Sequence, residues 1–195
     1  GNIIYAGYAS LLELNARLQA GVPLPELDSF SVEVLPFWEK AKDKSVLANA
    51  LAVREAVRVL TDASYPQLHL IAPELGEPDE VWTNAFGTAR STIASLRLMV
   101  AYLLDEPELA QQAALDSTAN VAAAMASVME PLHYLWLALS YSKRWPDSTP
   151  EEQRKMARAV RQAEKKMASW SKSCPENFAH QHALVQGAWA LSQGD

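Results

Sequence analysis

Residues 149–170 read TPEEQRKMARAVRQAEKKMASW, and their spacing decides the fold class. Met156, Val160, Ala163, Met167 and Trp170 recur at steps of 4, 3, 4 and 3, the period of one face of an α-helix. Thr149 stands where a cap is needed, and Pro150 sits in the first turn, where its missing N–H costs nothing. Glu151 and Glu152 lie at the positive end of the helix dipole. Cys174 and Pro175 close the segment, and a last helix is predicted over 178–192.

The same period recurs towards the N-terminus. A first helix is expected from Ile3 to Ala20, with Ile4, Tyr8, Leu11 and Leu18 inward and Gly21 as its stop. A second opens near Pro25 and carries Leu27, Phe30, Val34, Phe37 and Ala41. A third, capped by Ser45, runs to Leu60 with Leu47, Ala50, Val53, Val57 and Leu60 inward. A fourth spans 79–104 with Ala89, Ile93, Leu96, Val100 and Leu103; a fifth follows Pro107 to about Met125, and a sixth covers Pro131 to Lys143. Pro66, Pro73, Gly76 and Pro78 interrupt the period, with a short helix expected near Gln67 to Ile71. The reading is an all-α chain: one helical domain over residues 1–195, with sub-bundles 1–62 and 79–195 joined by the Pro-rich segment 63–78. About eight antiparallel helices would stack as a tetratricopeptide-like helical-repeat array. Tyr102 and Ala110 match the tyrosine-to-alanine spacing of that repeat, whereas its Trp, Leu and Gly positions are unmatched.

Composition agrees. Apolar residues make up 49% of the 195, and only 7 are Gly, so the chain can bury a core and favours helix. No run of 18 apolar residues and no basic-then-apolar leader occurs, and the single Cys174 excludes an internal disulfide. A cytoplasmic protein is expected. Gly1 in place of Met reads as a fragment of a longer protein or a tag remnant.

The net charge of −6 conceals an asymmetry: residues 143–172 hold nine Lys/Arg against four Asp/Glu. An acidic body disfavours nucleic acid. Arg154, Arg158, Arg161 and Lys165 recur at i, i+4, i+7 and i+11, a cationic stripe beside the apolar one. It reads either as a face for an acidic protein partner or a flanking domain, or as a solvated face partly neutralised by acidic neighbours. Membrane insertion is not expected.

Catalytic signatures are missing: there is no phosphate-binding glycine loop and no nucleophile elbow. Cys174 near His180 and His182 invites a thiol-nucleophile reading, but the blander one, a small residue buried in a turn, fits its place before Pro175. Glu130-Pro131-Leu132-His133 matches one Glu-x-x-His pair, whereas a di-iron bundle needs two such pairs and two further glutamates. His180 and His182 would sit about 200° apart on a helix, too far round to share one ion, with one expected buried and hydrogen-bonded. No cofactor, metal or catalytic residue is expected, and the chain reads as non-enzymatic. Six Trp spread along the chain read as anchors between helices, or as lining for a small-molecule pocket in a sensing bundle.

The C-terminal stretch 170–185, WSKSCPENFAHQHALV, resembles the tetratricopeptide-like helical region of very large signalling proteins. Those combine a Ser/Thr kinase-like domain, an AAA-type signal-transduction ATPase, this region, a GAF domain and often a histidine kinase. TPEEQ at 149–153, IYAGYA at 4–9, GVPLPEL at 21–27 and PELGEPDE at 73–80 look like the same family, in order. Ala179 and Ala183 stand where bulkier side chains are expected. The resemblance implies an interaction and regulatory region between the ATPase and the sensor–kinase half, with none of their activities.

Overall fold

The computed structural model describes residues 3–62 and 87–194, and these are α-helical, with no strand among them. Eight helices follow in order: α1 Ile3–Gln19, α2 Leu24–Ala41, α3 Lys44–Thr61, α4 Gly87–Leu103, α5 Pro107–Asn120, α6 Met129–Arg144, α7 Pro150–Ser173 and α8 Pro175–Gln193. Short 3-10 turns at Val121–Ala124 and Trp145–Asp147 flank α6. The expected linker over 63–78, with its short helix, Trp82 and the first residues of the fourth helix, lies outside the described residues.

The helix ends follow from local chemistry. At Thr149 the capping box is complete: the hydroxyl accepts the Glu152 N–H (3.4 Å), and the Glu152 carboxylate accepts the Thr149 N–H (2.9 Å). Gly21 ends α1 with φ of 72°, its N–H donating to Leu18 O and the Val22 N–H to Arg17 O. Asp105 repeats this double bond after α4 with φ of 60°, its N–H donating to Tyr102 O and the Glu106 N–H to Ala101 O. The cap of α3 is Asp43 rather than Ser45: its carboxylate accepts the N–H groups of Ser45 (2.9 Å) and Val46 (3.2 Å), which a residue inside the helix cannot do. The fifth helix stops at Asn120 and tightens into the 3-10 turn, short of Met125.

Packing is stepwise. Besides its sequence neighbours, α1 meets α3, α4 meets α6, and α6 meets α8, while α3 adjoins α4. The helices of that chain, α1, α3, α4 and α6, end at residues 19, 61, 103 and 144, steps of 42, 42 and 41. The helices that flank them, α2, α5 and α7, begin at 24, 107 and 150, so α2 and α5 are two such steps apart. This step is longer than the roughly 34 residues of a tetratricopeptide unit.

Position along this chain of helices sets how much of each is covered. In α3, α4 and α6 nearly the whole circumference is buried, including polar Asn49, Glu55, Ser91, Thr92, Ser95 and His133. The largest apolar cluster joins α1 to α4 and extends to Ala124, Met129 and Leu132; the others join α4, α5 and α6, and α6, α7 and α8. The α4–α5 seam is lined by Ala110, Ala113, Ala114 and Ser117, small residues that let two backbones approach closely.

Several expected core faces shift by one position. In α2 the anchor is Trp38, fully buried with its N–H donating to Ser10 Oγ (2.9 Å), while Phe37 is 47% exposed. In α1 Gly7, Leu11 and Leu14 face inward and Ile4 and Tyr8 outward. Leu103 turns out of α4 and is exposed.

Thr149→Ala removes the hydroxyl arm of the capping box and is expected to cost about 1 kcal/mol in urea unfolding. Ala114→Leu forces apart the α4–α5 seam, at an expected cost of about 1–3 kcal/mol. A neutral Ala114→Leu would mean that the seam has slack.

Candidate functional site

Three places were marked by the sequence: the α7 stripe, the Glu-x-x-His pair and the cysteine–histidine segment. On α7 the apolar stripe Met156, Val160, Ala163 and Met167 is buried against α6 and α8, which turns Arg154, Arg158, Arg161 and Lys165 outward. All four are exposed, and none makes an ion pair or hydrogen bond among the described residues. The cations beside them are occupied. Lys155 pairs with Glu151 at 2.8 Å, Lys166 with Glu130 at 2.6 Å, and Arg144 with Glu152 at 3.4 Å. The expected partial neutralisation of the stripe by acidic neighbours is therefore not found among the described residues.

Glu130 and His133 lie one helical turn apart on α6, and each is committed elsewhere. The Glu130 carboxylate takes Lys166 and also accepts the Ala126 N–H at 3.0 Å, pinning a turn where Ala126 has φ of 63°. The Lys166 ammonium lies 5.5 Å from the Tyr134 ring centre and 5.7 Å from that of Trp170. His133 is buried, with Nδ1 3.1 Å from Ser117 Oγ across the α5–α6 interface and its ring edge-on to Tyr134. Burial pushes its pKa from 6.5 down to about 4, against an opposing pull from Glu130. No group of three His, Cys, Asp or Glu is placed to hold a metal among the described residues.

At Cys174 the environment opposes nucleophilic activation. The thiol donates to Glu176 Oε1 (3.3 Å), which pushes its pKa up, and the sulfur accepts from Asn177 Nδ2 (3.2 Å). Cys174 is half-buried rather than fully enclosed. His180 is exposed; His182 is half-buried, but its Nε2 has no hydrogen-bond partner, so the bond expected for the inner histidine is missing.

A cavity of about 360 Å³ opens where the α4–α5 turn meets the end of α6. Ala101, Pro107 and Ala110 form apolar wall, with the rings of Tyr102 and Tyr141 beside them. Lys143 bridges to Asp105 at 2.6 Å with its ammonium 5.3 Å from the Tyr102 ring centre, and Arg144 donates to Gln111 and Glu152. Burial pushes the Tyr141 phenol up. Among the described tryptophans none lines this cavity, although Trp136 tilts against Tyr102 with ring centres 5.4 Å apart. The other tryptophans join helices: Trp38 ties α2 to α1, Trp170 touches Tyr134 and Phe178, and Trp145 meets Trp189 edge-on. Sequence reading missed the cavity because its walls come from residues 101–111 and 140–147, which share no motif.

No family model, curated protein or solved structure matches this chain. None of the described helices is long and apolar enough to cross a membrane.

His133 makes stability depend on pH with a defined sign. Its folded-state pKa lies below the unfolded value, so between 6.5 and about 4 the unfolded chain binds the proton preferentially. The contribution is intact above pH 6.5 and is lost as pH falls towards 4, by up to about 3 kcal/mol. Urea unfolding at several pH values between 7 and 4 is expected to show this slope, and His133→Asn to flatten it; parallel profiles would refute the assignment.

Proposed function

We propose that this chain is a non-enzymatic interaction and regulatory module, a two-helix repeat array that offers the outer ridge of α7 to an acidic protein segment. The observation that carries the reading is the set of four exposed cations, Arg154, Arg158, Arg161 and Lys165, none of which has an acidic partner among the described residues. From first to last they span about 16 Å of helix. Like charges three and four residues apart repel by about 0.2–0.5 kcal/mol per pair, a local cost that a bound polyanionic segment relieves. The charges also speed encounter with such a partner and make it salt-sensitive.

The steps of 42, 42 and 41 residues between helix ends support the array half of the reading, because stacked helix pairs present continuous surfaces rather than a reactive cleft. The resemblance to the helical region of multidomain kinase and ATPase signalling proteins supports the regulatory half. A partner that grips one ridge and not another shifts the relative stability of neighbouring arrangements by its differential affinity. A single thiol without a disulfide fits a reducing compartment, the cytoplasm.

Binding of a Glu/Asp-rich peptide, followed by fluorescence anisotropy, is expected to weaken about tenfold or more in Arg158→Glu with Arg161→Glu, a loss of about 1.4 kcal/mol or more. Raising salt should weaken it too, while the melting temperature does not fall, because both side chains are solvated and their reversal relieves like-charge repulsion along the ridge. Unaltered binding by the double variant would remove α7 as the docking ridge.

A further inference from the structure

We propose that the cavity between the α4–α5 turn and the end of α6 is a binding site for a small organic amine with an apolar body. Its volume of about 360 Å³ lies within the range of small-molecule sites. Ala101, Pro107 and Ala110 offer apolar surface for the body of such a molecule, and the Tyr102 and Tyr141 rings flank it.

Charge pairing selects the cation. The two basic residues on the wall are already engaged, Lys143 by Asp105 at 2.6 Å and Arg144 by Gln111 and Glu152. Two further carboxylates line the cavity, those of Glu106 and Asp147, and neither has an ion pair or hydrogen bond among the described residues. An incoming anion would meet those two charges with no free cation to receive it. An ammonium is drawn to both carboxylates instead, and the Tyr102 ring on the same wall already holds one, that of Lys143, 5.3 Å from its centre.

This site is separate from the α7 ridge, so either proposal can fail alone. The test titrates the full chain with phenethylamine, and in parallel with 3-phenylpropionate and 2-phenylethanol, which keep the ring and replace the ammonium by an anion or a neutral hydroxyl. Backbone amide resonances of Tyr102, Ala110, Ser140 and Tyr141 are expected to shift with the amine at a Kd on the order of 1 mM, and much less with the other two. Glu106→Gln with Asp147→Asn is expected to weaken amine binding about fivefold or more. No shift with the amine, or an equal response to the carboxylate, overturns the proposal without any variant. A double variant that stays folded and binds the amine as tightly as the parent overturns it as well.

Discussion

Helices α3, α4 and α6 have neighbours on almost every side, and the rest of the molecule follows from that. A helix in such a position has little circumference left for water, so it must be apolar or small nearly all round. Eleven residues of α3, eleven of α4 and eleven of α6 are buried, far more than on the outer helices α1, α5, α7 and α8. The small side chains of α5 against α4 are a consequence: a helix that approaches an already surrounded neighbour has room only for Ala and Ser.

Burial on this scale carries polar groups inward, and the structure meets some of them with specific partners. His133 answers Ser117, and Asn49 Nδ2 donates to Thr92 Oγ1 at 3.1 Å between α3 and α4. Glu130 answers both Lys166 and the strained turn at Ala126. Such pairs specify which helices adjoin, because breaking one leaves a buried polar group stranded. On α7 the balance reverses. Only one stripe is buried, and the other faces carry the charge that gives the chain its asymmetry.

Helices and their ends were largely legible in the sequence. Thr149, Gly21 and the 3–4 spacing on α7 depend on contacts within a few residues, so they read correctly without tertiary knowledge. Errors fell where two side chains compete for one inward position. Phe37 and Trp38 are adjacent, and the larger indole, able to bond to Ser10, took the core. Leu103 fits the period of α4 but lies at its end, beyond the neighbours that would cover it. One signal was present but unread: Pro23, Pro66, Pro107 and Pro150 are spaced by 43, 41 and 43 residues, matching the helix step, and three of them stand at the starts of α2, α5 and α7.

By itself, then, the sequence determined that this chain is helical, where most helices stop, and that four cations share one ridge, since hydrogen bonding and side-chain period act over a turn or two. Tertiary structure alone decided which helices adjoin, that Glu130 meets Lys166 across 36 residues, and that Tyr102, Lys143 and Asp147 surround one cavity. Those juxtapositions depend on how ridges of separate helices interlock, and no local period encodes that.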